Sequence, residues 1–186
     1  MPNTGHRILT THVGSLPRSQ RTLDEFDTLA ARHIEILNHA LRNVPADRVR
    51  MHVCRSNYEG PHHHDVPMER LLPIVLGAKP QGLLFAAANP RHAHEWVVLK
   101  NARIPDDKIL VPGVLSTIAT YVEHPELVAE RIERFARIVG RDRVIAGTDC
   151  GFGTFAGSGA VEPEIAYMKL RSVEQGAQIA SRRLSA

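Results

Sequence analysis

A short apolar run near the middle of the chain, Gly82-Leu83-Leu84-Phe85-Ala86, carries no polar side chain on either of its alternating faces. Successive residues of a β-strand point to opposite faces of the sheet, so a strand that is apolar throughout is covered on both sides. Parallel sheets flanked by helices are covered in this way, whereas half-exposed antiparallel strands alternate apolar and polar residues. The run therefore predicts a strand of a parallel α/β sheet.

Similar runs recur along the chain and alternate with segments of helical spacing. Apolar residues recur every three or four positions over residues 26–44, where Thr22 and Glu25 form a potential capping box. Further helices are predicted to begin at Asn89-Pro90, at Pro125 and at Pro163. The predicted strands are Arg7–Thr11, Val49–Cys54, Gly82–Ala86, Lys108–Val114 and Arg143–Thr148.

About five strand–helix units within 186 residues predict one domain, residues 1–186. Strands that alternate with helices are parallel and have right-handed crossovers. The pattern fits either a (β/α) barrel or an open doubly wound sheet. A closed barrel of eight units needs roughly 250 residues, so a barrel of this length would be partial.

The composition is ordinary for a globular protein, with 43% hydrophobic and 23% charged residues. The 23 Lys and Arg residues are scattered among 20 Asp and Glu residues, with no basic stripe, so no nucleic-acid partner is expected. No apolar run is long enough for a membrane span. The polar start of the chain, Met1–Arg7, has no signal core, so we expect a cytoplasmic protein.

The strongest chemical motif is His52-Val53-Cys54 at the end of a predicted strand. Residues two apart in a strand share a face, so the imidazole and the thiol project together. Cys150 follows the end of the last predicted strand. Two thiolates and an imidazole suit Zn²⁺ and leave one position open for a substrate. The alternative is that both cysteines are simply buried.

Other motifs are open to two interpretations. The run His62–His64 could line a site, or it could be a solvated loop in which Asp65 caps the next helix. We interpret His92 and His94 as helix-surface residues, because positions two apart on a helix diverge. The glycine-rich stretch 151–159 lacks a Walker lysine, so we interpret it as a flexible loop beside the site.

Together these segments resemble the catalytic barrel of the cobalamin-independent methionine synthase family. Thr10–Arg18 resembles the opening of that barrel, His52–Cys54 resembles its first two zinc ligands, and Asp149–Gly151 resembles its last. Tyr58–Asp65 and Ala88–His92 are similar to the short single-barrel members, which include the epoxyalkane:coenzyme M transferases. The likeness covers residues 6–18 and most of 24–184.

The resemblance implies a partial (β/α)8 TIM-type barrel with Zn²⁺ held by His52, Cys54 and Cys150. It implies a methyltransferase of methionine biosynthesis, similar to 5-methyltetrahydropteroyltriglutamate–homocysteine S-methyltransferase. The substrates would be a small thiol, homocysteine or one like coenzyme M, and a methyl or alkyl donor. Ser15 and Arg18, in the Gly14–Arg18 turn, would lie near the thiol substrate, where Arg18 could hold an anionic group.

The chain also departs from the family pattern. Ala86 stands where relatives carry a glutamate ligand, so Glu59, a loop histidine or Asp149 would have to complete the shell. Ser116 stands where relatives tend to have aspartate. Three strand–helix units are missing near residues 19–24, together with the acidic groups that hold the substrate amine. These departures leave three interpretations open: a methyltransferase, an epoxyalkane:coenzyme M transferase-like alkyltransferase, or an inactive remnant.

The missing units also bear on assembly. Five strand–helix units cannot close a barrel alone, and open parallel edges are adhesive. We therefore expect a homodimer with a two-fold axis.

Overall fold

The computed structural model describes residues 25–55, 57, 59–61, 65–153, 157 and 159–185. Over these ranges the chain is a mixed α/β fold with a parallel sheet and five α-helices. Short 3-10 helices cover Ala46–Arg48 and Arg141–Arg143. The helices and strands are, in chain order, α1 (Phe26–Ala40), β1 (Arg50–Val53), α2 (Met68–Leu76), β2 (Gly82–Phe85), α3 (Trp96–Asn101), β3 (Ile109–Pro112), α4 (Pro125–Val139) and α5 (Pro163–Arg183).

The three strands are parallel and lie in the order β1-β2-β3. His52 of β1 pairs with Leu84 of β2, which in turn pairs with Val111 of β3. The parallel arrangement predicted from the apolar runs is confirmed for these strands, and each begins and ends within two residues of its prediction. Their carboxyl ends therefore meet at one edge of the sheet.

The last predicted strand, Arg143–Thr148, is wrong as a continuous strand. This segment runs beside β3 with two isolated parallel bridges, Leu110 with Val144 and Gly113 with Gly147, and the Ile145 and Gly147 N–H groups donate to carbonyls of β3. Alanine and glycine at positions 146 and 147 are weak strand formers, and no described residue pairs with the outer edge of the segment. The first predicted strand, Arg7–Thr11, lies outside the described residues. Three of the four strands predicted within the described ranges therefore appear.

The two faces of the sheet differ, and the difference positions His52. Met51, Val53 and Leu83 pack in one cluster with Leu71 and Val75 of α2. The intervening residues of β1 point the opposite way because strand side chains alternate. His52 is accordingly exposed on the face of the sheet that α2 does not cover.

Helix α4 connects the sheet to α5. Phe135 of α4 meets Phe85 of β2 edge-to-face, with 5.8 Å between ring centroids. The helix begins as predicted at Pro125, where His124 Nδ1 accepts the Glu126 N–H, and it ends at Gly140, whose φ is +88°. On its other side it packs against α5 at Gly176, where an added Cβ would lie 2.4 Å from Val128 Cγ1.

Two helix-start predictions differ from the structure. Asn89-Pro90 opens a series of turns, and α3 begins only at Trp96. The Asn89 side chain accepts the Arg91 N–H in a turn, and the distant Asp149 holds the Asn89 N–H. Glu25 precedes α1 without a side-chain capping bond, and its predicted partner Thr22 lies outside the described residues. None of the helices in the described ranges is long and apolar enough to cross a membrane.

Candidate metal centre

Three potential metal ligands converge at the carboxyl edge of the sheet. His52 lies in β1, and Cys54 follows the last residue of that strand. Cys150 comes from the side of the sheet opposite β1, just past the segment that bridges to β3.

The donor atoms are close enough to share one ion. The two cysteine Sγ atoms are 3.5 Å apart, and Cys150 Sγ lies 3.3 Å from His52 Nε2. All three donor atoms fall within 4.8 Å of one another. Two thiolates bound to one Zn²⁺ with bonds of about 2.3 Å sit roughly 4 Å apart. The donor set and its spacing therefore fit a tetrahedral zinc site with one open position.

Without a cation, the close approach of the Cys54 and Cys150 thiols disfavours their thiolate forms. The hydrogen bond with Cys54, burial and the neighbouring thiol's charge together raise the pKa of Cys150 well above that of an ordinary thiol. A bound divalent ion reverses this effect because it stabilises the thiolate directly. His52 and Cys54 are exposed and Cys150 is half-buried, so the centre is open to small molecules.

Asp149 precedes Cys150 and is held by backbone amides. Its Oδ1 accepts the N–H groups of Ala87 and Ala88 at 2.8 and 2.9 Å, and its Oδ2 accepts that of Asn89 at 2.7 Å. The residue is buried, and burial raises its pKa even though the three amides favour the carboxylate. Asp149 is thus engaged with the loop after β2 and does not belong to the convergent donor set.

A second buried network lies behind Cys54. The Arg55 guanidinium pairs with Glu95 and donates to the Ala86 carbonyl at 3.2 Å. Glu95 also accepts the Met68 N–H at 2.9 Å and contacts His92 Nδ1 at 3.1 Å. Burial alone would raise the pKa of Glu95, but these hydrogen bonds and the charge of Arg55 outweigh it and lower the pKa to about 2.

The same network reaches the loop that follows β1. His92 Nε2 lies 2.8 Å from Asp65 Oδ2, so this imidazole bridges two carboxylates. His92 is only 4% exposed, and the interpretation of it as a helix-surface residue is wrong. The reason is that residues 90–95 form turns that direct the ring inward. His94 is exposed, as interpreted.

A pocket lies at the same edge of the sheet, between the loops that follow the three strands. Ser116 is buried in its wall, donates its N–H to Glu123, and accepts the N–H groups of Ile118 and Ala119 through Oγ. Ser116 therefore organises the turn here. The pocket is lined by Glu59, Gly60, Asn89, Pro90, Arg91, Ser116, Ile118, Ala119 and Tyr121.

The remaining sequence candidates have separate outcomes. Ser15, Arg18 and His62–His64 lie outside the described residues. The glycine-rich stretch is described only in part, and the Gly151 carbonyl in it accepts a hydrogen bond from Asn57 at 3.2 Å. Glu59, suggested as a substitute ligand, is exposed and does not belong to the donor set within the described ranges.

Sequence reasoning missed Arg55 and Glu95 as parts of the site region. Arg55 directly follows Cys54 and Glu95 directly precedes Trp96, which are weak signals, because most charged residues are solvated. It also missed Gly113, where an added Cβ would lie 2.1 Å from Asp149 Oδ1. The available signal was a glycine near the end of a predicted strand, next in order to the strand that precedes the Asp-Cys motif. A glycine in a strand often marks the close approach of another part of the chain.

The comparisons with known proteins support a likeness of fold. No family model matches the chain. The uncharacterized Bacillus subtilis (strain 168) protein YxjH is 25% identical over 148 residues, which are 79% of this chain and 39% of the relative. The uncharacterized protein YxjG of the same organism is 26% identical over 153 residues, which are 82% and 39% of the two chains. The chain thus spans 39% of the length of each relative.

One solved structure is similar over most of the chain. It is a B12-independent methionine synthase from Shewanella sp. W3-18-1 in complex with selenomethionine, with a TM-score of 0.64 and 15% identity. The match covers 87% of this chain and 46% of that one. At this identity the likeness shows the fold: the described elements are arranged like part of a methionine synthase chain. This agrees with the expected partial barrel.

Proposed function

We propose that this chain carries part of a zinc-dependent thiol S-methyltransferase of the cobalamin-independent methionine synthase type. The observation that carries the proposal is the convergence of His52, Cys54 and Cys150, with 3.5 Å between the two sulfurs. The likeness of fold to a methionine synthase supports it. The ordered resemblance of separate strand-end motifs is a further support.

Each candidate site residue has a definite task in this proposal. Zinc, when bound, keeps a coordinated substrate thiol in the nucleophilic thiolate form at neutral pH. His52, Cys54 and Cys150 occupy three ligand positions and leave the exposed side for the substrate. On the motif resemblance, Ser15 and Arg18 remain the residues proposed to contact the thiol. The substrates remain a homocysteine-like or coenzyme M-like thiol and a methyl or alkyl donor.

Metal content of the purified protein tests the ligand set. We expect wild-type protein to hold zinc in a one-to-one ratio after dialysis, and His52→Ala and Cys150→Ala to lose it. His33→Ala is a matched control, because His33 is an exposed histidine on α1. Equal zinc content in His52→Ala and His33→Ala would exclude His52 as a ligand. A wild type that retains no zinc would refute the proposal.

A second candidate is a metal-binding remnant without turnover, favoured by one observation. Ala86 is buried at 4% exposure where relatives carry a glutamate ligand, and its carbonyl is bonded to Arg55. Assays of zinc-loaded protein with homocysteine and a methyl-folate, and with coenzyme M and an epoxide, separate the candidates. Methylated homocysteine supports the methyltransferase, and an alkylated coenzyme M supports the epoxyalkane:coenzyme M transferase-like alternative. Zinc binding without either product supports the remnant.

The homodimer remains part of the proposal. In the described residues, β1 has a partner strand on one edge only, and the segment 144–147 likewise has β3 on one side only. Exposed parallel edges favour association. Light scattering coupled to size exclusion at micromolar concentration should give twice the mass of one chain. A monomer with cooperative unfolding would contradict the dimer without affecting the metal proposal.

A further inference from the structure

Asp149 is fixed both by its backbone and by its side chain. Its own N–H donates to the Leu115 carbonyl at 3.1 Å, which ties it to the chain just beyond β3. Its carboxylate accepts three successive N–H groups, from Ala87 to Asn89. A carboxylate that accepts two or three backbone N–H bonds is held strongly in one orientation.

The two neighbours of this carboxylate are the candidate metal centre and the pocket. Cys150 is the next residue, and the Thr148 hydroxyl donates to its carbonyl at 2.7 Å. On the other side, Asn89 lines the pocket, and its side chain accepts the N–H of Arg91, which also lines the pocket. A displacement of the Asp149 carboxylate would therefore move both the thiol and the pocket wall.

A glycine makes room for this arrangement. At Gly113, an added Cβ would lie 2.1 Å from Asp149 Oδ1 and 2.6 Å from its Cα, far inside the contact distance. The φ angle of Gly113 is not in the left-handed region, so backbone strain does not explain the glycine. The close approach of Asp149 does. The three amide donors and the missing Cβ of Gly113 are thus independent features, and both allow the observed position of the Asp149 carboxylate.

We propose that Asp149 is a positioning residue that holds Cys150 at a fixed place relative to the pocket loop of residues 87–91. This inference rests on the proposed function, because it takes Cys150 to be a metal ligand. It goes beyond that function by making the metal centre and the pocket one mechanically coupled site. A molecule in the pocket would then contact the loop that sets the position of one thiolate.

The first test measures metal affinity and metal spectra together. Asp149→Asn keeps the shape of the side chain but places an NH₂ group against amide donors, and Gly113→Ala displaces the carboxylate sterically. Both should weaken Zn²⁺ binding about tenfold, the lower end of what loss of a group that orients a ligand costs. With Co²⁺, both should show weaker thiolate-to-metal charge-transfer absorption, because Cys150 is displaced from the ion.

Two matched variants control for a merely structural effect. Asp142→Asn makes the same change at a side chain that is 94% exposed, and it should leave affinity and spectrum unchanged. Gly176→Ala makes a comparable clash, 2.4 Å from Val128 Cγ1, between α4 and α5. It should lower the Tm, but the folded protein should bind metal as wild type does. Weakened binding in Gly176→Ala equal to that in Gly113→Ala would overturn the inference.

A measurement on wild-type protein covers the case in which the site variants fail to fold. Amide hydrogen exchange at Ala87, Ala88 and Asn89 should slow when Zn²⁺ binds, because fixing Cys150 also fixes the acceptor of these amides. Unchanged exchange, or wild-type spectra in Asp149→Asn, would overturn the inference alone. A wild type that binds neither Zn²⁺ nor Co²⁺ would overturn the proposed function, and the inference would fall with it.

Discussion

Glu123 and Asp149 are two buried carboxylates on the carboxyl side of the sheet, and the chain compensates their charges in different ways. Glu123 pairs with Lys169 at 2.7 Å and accepts one backbone N–H, that of Ser116, and both charged side chains are almost completely buried. Asp149 accepts three backbone amides, and no cationic side chain donates to it among the described residues. A lysine can reach a carboxylate from another helix, whereas amides can do so only if their loop is held in place. The first arrangement therefore joins the loop before α4 to α5, and the second joins loops around the candidate metal centre.

The largest expected effect comes from removing the cation of the first arrangement. Lys169→Met keeps the length of the side chain but leaves Glu123 buried and unpaired, which should reduce the free energy of unfolding by about 3–5 kcal/mol. Urea unfolding at neutral pH measures the loss. Lys100→Met is the control, because Lys100 is exposed on α3, and it should cost under about 1 kcal/mol.

Metal binding distinguishes this residue from Asp149. Folded Lys169→Met should bind Zn²⁺ as wild type does, because Lys169 contacts Glu123 and the Tyr121 ring and none of the donor residues. The double variant Glu123→Gln/Lys169→Met should recover part of the stability, since no charge then remains buried. If Lys169→Met lost metal affinity in step with Asp149→Asn, the division between Glu123, which joins a loop to α5, and Asp149, which positions the site, would be wrong.

Glu95 extends the comparison to a third buried carboxylate, which pairs with a guanidinium and also accepts a backbone amide. Its folded pKa is lowered from 4.5 to about 2, which corresponds to about 3 kcal/mol at most. Because the folded pKa is depressed, this stability is present above about pH 4.5 and is lost as the pH falls towards 2. Urea unfolding between pH 6 and about 2.5 should show this decline for wild type.

Two variants isolate the contribution of Glu95 to acid sensitivity. Glu95→Gln should be less stable at neutral pH and should lose less stability on acidification, because it has no proton to bind. Glu69→Gln changes an exposed residue on α2 and should keep the wild-type pH dependence. Parallel pH profiles for Glu95→Gln and wild type would show that Glu95 does not carry the acid sensitivity.

The sequence predicted much of this architecture because the decisive signals are local. The apolar runs and the spacing of their side chains predicted β1, β2 and β3. Pro125 and Gly140 predicted the ends of α4. The alternation of a strand predicted that His52 and Cys54 share a face. The place of Cys150 also followed from topology, since carboxyl ends of parallel strands share an edge.

The unpredicted features depend on contacts between distant segments. The segment 143–148 has a strand-like sequence, but strand pairing depends on neighbours on both sides. Asn89-Pro90 has a helix-start sequence, yet Asp149 holds the Asn89 amide and the chain continues as turns. The burial of His92 depends on Asp65, 27 positions earlier in the chain. Each of these features is set by a tertiary partner that has no local signature.

The smallest expected effect tests whether a newly introduced buried carboxylate can be compensated by the metal itself. Ala86 is 4% exposed directly after β2, at the position where the motif resemblance leads us to expect a glutamate ligand. Ala86→Glu should destabilise the metal-free protein, because the new charge would be buried without a partner. It should also tighten Zn²⁺ binding about tenfold, equivalent to about 1.4 kcal/mol, by supplying a fourth ligand. Zn²⁺ should therefore raise the Tm of this variant more than that of wild type.

Ala86→Gln is the matched control, because it has nearly the same shape and only a weak neutral ligand. Competition with a chelator gives the affinities, and thermal unfolding with and without Zn²⁺ gives the stabilities. If Ala86→Glu and Ala86→Gln bound Zn²⁺ equally, the carboxylate would not reach the ion, and the shell would be completed by another group or by solvent. If Ala86→Glu bound more tightly without losing metal-free stability, the new charge would be solvated. The edge of the sheet beside Cys150 would then be wetter than the burial of Ala86 and Asp149 indicates.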